Sequence, residues 1–140
     1  MRIFIFGNIN SGKSTLLDVL KIRYPQYSIL RIDDFRRKYG KGDIESDLYA
    51  QEMFVQAVLE HENALVESTG LGPLGQRLKE AFHGLLGVIL YVDTPIYLCL
   101  ERIDPEKFKN TPYPVFSETL ENTAHSGESC HLFRTKVATS

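Results

Sequence analysis

The run Gly7-Asn8-Ile9-Asn10-Ser11-Gly12-Lys13-Ser14 fits the pattern G-x-x-x-x-G-K-[ST] at every fixed position. Its chemistry is the holding of phosphates. The glycines let the backbone turn tightly, so that successive amide N–H groups form a nest for an anion. The helix expected next adds the partial positive charge of its N-terminus. The cradle therefore takes in Gly7, Asn8, Ile9, Asn10, Ser11, Gly12, Lys13, Ser14 and Thr15. Lys13 is placed to reach the β- and γ-phosphate oxygens, and the Ser14 hydroxyl to ligate Mg²⁺. A glycine-rich turn with no ligand is the plain alternative. The apolar strand before the motif and the amphipathic helix after it are the context that the phosphate mechanism requires.

Two further clusters carry acids. Asp33-Asp34-Phe35-Arg36 falls at the carboxyl end of the second expected strand, where open parallel sheets place ligand-facing residues. A carboxylate there can accept the proton of an attacking hydroxyl, and an arginine three positions on can hold a phosphate of the acceptor. The competing reading is a helix cap, with Asp33 or Asp34 binding backbone amides of the following segment. Glu67 closes the third expected strand, where an acid organises Mg²⁺ through a water or positions the acceptor. Its alternative is a strand-end glutamate in solvent.

These residues need elements to hold them, and the pattern supplies a βαβ rhythm. Ile3-Phe4-Ile5-Phe6 reads as a strand buried on both faces. A helix follows with Thr15, Leu16, Val19 and Leu20 on one face, closed near Pro25. A strand over 27–32 comes next. Asp43 then caps a helix running to about His61, with Leu48, Phe54, Val55, Val58 and Leu59 inward. Further strands are expected at 64–66 and 86–92, a loop at 70–75, and helices over 76–82 and 96–103. Beyond Asp104 the chain is polar and broken by Pro105, Pro112 and Pro114. A short helix over 116–122 and an edge strand over 131–137 complete the expectation: an α/β, three-layer fold around a parallel sheet.

The chain of 140 residues fits one domain, 1–140. Its net charge of −2 argues against an extended nucleic-acid surface, which needs clustered Lys and Arg to displace counterions. Cys99, Cys130 and the four histidines show no metal-ligand spacing. The cysteines read as reduced thiols of a cytoplasmic chain, and no segment suits a membrane span. No N-K-x-D guanine reader is present, and the length leaves no room for motor-type ATPase machinery. The compact kinase layout remains.

The segment Leu30-Arg31-Ile32-Asp33-Asp34-Phe35-Arg36 behind such a loop resembles the kinase domain of polynucleotide 5′-kinases and their small P-loop relatives. The stretch Tyr91-Val92-Asp93-Thr94-Pro95, with Leu100-Glu101-Arg102 after it, looks like the fourth strand and pre-lid helix of that superfamily. The resemblance implies five strands in the order 2-3-1-4-5. It also implies Asp33 as general base, Arg36 on an acceptor phosphate and Arg102 against adenine. Glu67-Ser68-Thr69 looks closer to the E-x-T of zeta-toxin-type kinases, which act on sugar nucleotides.

The lid, over about 103–114, normally brings arginines to the transferring phosphoryl group. This chain offers Lys107 and Lys109 there, which carry charge but lack the arginine fork. The expectation is a kinase that uses ATP and Mg²⁺, the metal at Ser14 and Glu67. Its acceptor would be a small phosphorylated molecule or a short nucleic-acid end. A nucleoside monophosphate kinase and an ATP-binding regulatory module are the alternatives.

Overall fold

The computed structural model describes residues 1–8, 10–102 and 133–138. Its central strand is β1 (Arg2–Gly7). Successive side chains on a strand point to opposite faces, so Phe4 and Phe6 enter one core while Ile3 and Ile5 enter another. Burying each phenylalanine contributes about 1.5–3 kcal/mol, and the Phe4 ring meets Phe82 edge-on at 5.5 Å. β1 lies between β3 (Ala64–Ser68) and β4 (Gly87–Val92), parallel to both. β3 repeats the division, with Ala64 and Val66 beside the phenylalanines and Leu65 beside the isoleucines.

β2 (Ser28–Arg31) pairs in parallel with β3, and β5 (Phe133–Ala138) runs antiparallel along β4. The order is β2-β3-β1-β4-β5. The expected order is found, with one difference: four strands are parallel and the fifth is an antiparallel edge.

Helices cover both faces and make the three layers. α1 (Lys13–Arg23) packs on the Ile3–Ile5 side through Leu17, with Leu16, Leu20 and Tyr24 beside it. Val19, expected inward, is 59% exposed. The loop before α1 sets the helix's rotation, so Leu17 rather than Val19 faces the sheet.

On the other face sit α3 (Ile44–Glu60) and α4 (Gly72–Phe82). The inward residues of α3 are Asp47, Ala50, Phe54, Val55 and Val58, while Leu48 and Leu59 stand in solvent. Asp43 caps the helix as expected, its carboxylate accepting from the Ser46 amide at 2.7 Å. α4 starts at Gly72, inside the expected loop and four residues before the expected helix, because Pro73 sits in its first turn, where a missing N–H costs nothing. Leu74, Leu78 and Phe82 then recur at four-residue spacing on its buried side.

α2 (Ile32–Tyr39) begins directly after β2, and α5 (Ile96–Glu101) follows β4. The C-terminus of α3 carries no basic residue of its own. Arg2 supplies one from β1, donating to the carbonyls of Val58 at 2.8 Å and Leu59 at 3.0 Å. The expected lid over 103–114 and helix over 116–122 lie outside the described residues, as do Ile9, Lys107 and Lys109. Among the described residues, no helix is long and apolar enough to cross a membrane.

Candidate functional site

The carboxyl ends of β1, β2 and β3 meet at the loop joining β1 to α1. That loop closes on itself, the Ser11 amide donating to the Asn8 carbonyl at 3.1 Å. Gly12, at φ +103°, is the residue from which α1 springs, and no side chain caps the helix. The first-turn amides of a helix have no intrahelical partner, so this uncapped start is a site for an anion. Gly7 is needed for a second reason: a Cβ there would stand 2.6 Å from both Ser11 Oγ and the Val92 carbonyl oxygen.

The loop is also tied from outside. Thr94, just past β4, donates through Oγ1 to the Ser11 carbonyl at 2.6 Å. Arg102, at the end of α5, donates to the Asn10 carbonyl at 3.1 Å. Asn10 Nδ2 and Ser11 Oγ are buried without a hydrogen-bond partner among the described residues.

Lys13 folds over the loop and donates to the carbonyls of Gly7 and Asn8, both at 2.7 Å. Burial lowers its pKa to about 8, while the carboxylates of Glu67 and Asp33 favour its charge. Glu67 is itself pushed above the usual carboxylate range by burial and by Asp33, and drawn back by Arg31 and Lys13. Asp33 stands in the first turn of α2. The three expected residues Lys13, Asp33 and Glu67 are therefore gathered within electrostatic reach of one another. Ser14 and Thr15 are exposed at the start of α1.

Arg36 lies differently. Its Nε sits 2.7 Å from the buried Asp47 carboxylate, which also accepts from Gln51 Nε2 at 2.7 Å. Holding an acceptor phosphate would require Arg36 to share its guanidinium with Asp47. The sequence reading did not include Asp47, because nothing in a helix sequence marks one aspartate as the buried one.

A second residue was also missed. Arg31 reaches Ser14 Oγ at 3.3 Å and stands 3.0 Å from Glu67 Oε2. The rule that placed Asp33 at a ligand-facing strand end applies equally to Arg31, the last residue of β2.

Fit for Mg²⁺ rests on Ser14 and Glu67. Glu67 Oε2 is buried and faces Arg31 at 3.0 Å, so Mg²⁺ or its water would share this carboxylate with the guanidinium. Among the described residues, no cluster of three or more His, Cys, Asp or Glu side chains could hold a metal by itself. Mg²⁺ shared with phosphates needs only one or two protein ligands, so the residues present fit that arrangement.

The sheet order, the phosphate loop and the flanking helices define the fold of the small P-loop kinases. No family model matches the chain, and no curated protein sequence does either. Solved structures do. A chain of the Pnkp1/Rnl/Hen1 RNA repair complex superposes with a TM-score of 0.63 at 16% identity over 99% of this chain. This chain spans 48% of that protein's length. Shikimate kinase from Aquifex aeolicus superposes with a TM-score of 0.60 at 24% identity, covering 88% of this chain and 77% of that one. Shikimate kinase from Acinetobacter baumannii, in complex with shikimate, gives 0.60 at 21%, covering 87% and 73%.

Proposed function

We propose that this chain is an ATP-dependent phosphotransferase of one domain, working in the cytoplasm. The observation that carries the reading is the meeting of an uncapped helix start with a half-buried Lys13 folded over the loop beside Glu67 and Asp33. The acceptor class is a small phosphorylated molecule: a nucleotide, a sugar nucleotide or a polynucleotide 5′-end.

The first-turn amides of α1 and the Lys13 ammonium hold the triphosphate. Asp33 takes the proton of the acceptor hydroxyl as its oxygen bonds to the γ-phosphorus. The bond from that phosphorus to the bridging oxygen breaks, and ADP leaves with the electron pair. An acceptor phosphate would attack through an oxygen that is already ionised, with no proton for Asp33 to take. Mg²⁺, held by Ser14 and Glu67, would neutralise charge on the phosphate oxygens. Arg102, fixed on the loop, is the residue offered to adenine. Lys107 and Lys109 are the lid's cations. Catalysis then comes from positioning and electrostatics, as for phosphoryl transfer generally.

A second reading has one observation in its favour. Arg31 already joins Ser14 to Glu67, so the site is bridged by the chain's own cation, as a nucleotide-binding regulatory module with slow transfer would allow. The experiment that separates the two incubates the protein with γ-labelled ATP, a pool of phosphorylated metabolites and short oligonucleotides. Label on an acceptor supports the kinase, and label confined to AMP, CMP, UMP or dTMP narrows it to a nucleoside monophosphate kinase. Free phosphate alone, or no transfer, leaves the module. Asp33→Asn should abolish transfer while ATP affinity stays within about threefold. Retained turnover would remove Asp33 from the role of base.

A further inference from the structure

Arg31 is where the site departs most from what its motifs describe. It ends β2, its side chain is 29% exposed, and its guanidinium spans the gap between Ser14 and Glu67. Its Nε lies 3.0 Å from Glu67 Oε2, so that end of the guanidinium is paired with the carboxylate. The Nη2 end reaches Ser14 Oγ at 3.3 Å, a long contact to a neutral partner. A charged acceptor arriving from the cleft would be a stronger partner for that end of the guanidinium.

The other arginines are placed elsewhere. Arg2 caps α3, Arg36 faces Asp47, Arg37 faces Asp34, Arg77 faces Glu52 and Arg102 holds the Asn10 carbonyl. Arg23 ends α1, about 15 Å along the helix from its phosphate-facing start. The chain beyond Arg102 contains one arginine, Arg134, well past the lid segment. A kinase needs a fork-shaped cation on the transferring phosphoryl group, and arginines in this role can come from any segment that reaches the γ-phosphate.

Resting on the kinase reading above, we infer that Arg31 is the catalytic arginine of this chain: it contacts the γ-phosphate of ATP from the end of β2, in the place of a lid arginine. On ATP binding its guanidinium exchanges the neutral Ser14 hydroxyl for γ-phosphate oxygens, a stronger, charge-assisted acceptor. That exchange releases the Ser14 oxygen to ligate Mg²⁺. Glu67 stays beneath the guanidinium and keeps it aimed. The same contact gives the site a preference for ATP over ADP, because only ATP brings the γ-phosphate.

The test measures ATP and ADP affinities by displacement of a fluorescent ADP analogue, with Mg²⁺ and again in EDTA. It uses the unaltered full chain, Arg31→Ala and Arg31→Lys. Arg31→Ala should weaken ATP by about tenfold or more while ADP moves by less than about threefold, in both media. Arg31→Lys keeps a cation for Glu67 but not the fork, and should still lose at least about threefold of the ATP preference. This second variant keeps the test open should Arg31→Ala fail to fold.

Equal losses for the two nucleotides, or tighter binding of ATP with Mg²⁺, would overturn the assignment and leave Arg31 as a partner of Glu67 only. A chain that in its unaltered form binds neither nucleotide would instead sink the nucleotide-binding reading, and Arg31's role with it.

Discussion

The phosphate cradle and the flank formed by α2 and α3 each hold an acid–base pair of side chains, and the two pairs are built to opposite ends. On the flank, Arg36 and Asp47 sit 2.7 Å apart, 19% and 7% exposed, with Gln51 completing the carboxylate. In the cradle, Arg31 and Glu67 are 3.0 Å apart, 29% and 9% exposed, and the Nη2 end of Arg31 reaches the neutral Ser14 hydroxyl at 3.3 Å. A pair completed by a third side chain locks two helices together, whereas a more exposed guanidinium with a neutral second partner keeps a donor that a charged ligand could take. The difference separates residues that hold the fold from those proposed to meet a nucleotide, although both arginines belong to one short stretch of sequence.

The largest effect should come from breaking the satisfied pair. Asp47→Ala removes the carboxylate that Arg36 and Gln51 share between α2 and α3, and losing one member of a buried pair costs about 3–5 kcal/mol. Urea unfolding would measure that loss, while ATP affinity of the folded variant should stay within about threefold. A fall in affinity matching a cradle mutation would mean that the flank and the cradle are one unit. Lys13→Met comes next and should behave in reverse. Losing a charged donor to phosphate removes about 3 kcal/mol of binding, or roughly a hundredfold in ATP affinity. Stability in urea should not drop, because the buried ammonium is disfavoured by folding.

The contrast also sorts what the sequence could disclose. Gly7 to Ser14 was legible because phosphate binding imposes its spacing directly on consecutive residues, and β1 because burial on two faces leaves only apolar residues. The strand order followed from a resemblance rather than from periodicity. The inward faces of α1 and α3 were misjudged at Val19, Leu48 and Leu59. A three-to-four-residue spacing allows two neighbouring stripes, and the choice between them belongs to the loop before α1 and to the Arg36–Asp47 pair. Arg31, Thr94 and Asp47 depend on partners far along the chain, which no local spacing records.

Lys13 also makes the cradle sensitive to pH. Its pKa of about 8 lies below the ordinary 10.5, so the unfolded chain binds the proton more tightly. The penalty for keeping it charged is complete below pH 8, fades between pH 8 and 10.5, and stability rises with pH across that window. Binding runs the other way, because phosphates need the ammonium. ATP affinity should be level below pH 8 and fall by up to about tenfold per unit above it. Lys13→Met should flatten both profiles. An unaltered slope in that variant would assign the titration to another group.

The smallest effect probes whether the cradle stands by itself. Thr94 donates to the Ser11 carbonyl from the far side of β4, and Thr94→Val keeps the side chain's shape while removing that hydrogen bond. The Ser11 carbonyl would lose a partner worth about 1 kcal/mol. If that tie is what aims the loop's amides, ATP affinity should fall by about fivefold while the urea midpoint shifts little. If the loop is shaped by Gly7 and Gly12 alone, stability drops by the same amount and affinity does not move. Measured beside Asp47→Ala, the variant shows whether the strand end after β4 belongs with the ligand-binding residues or with those that only hold the fold.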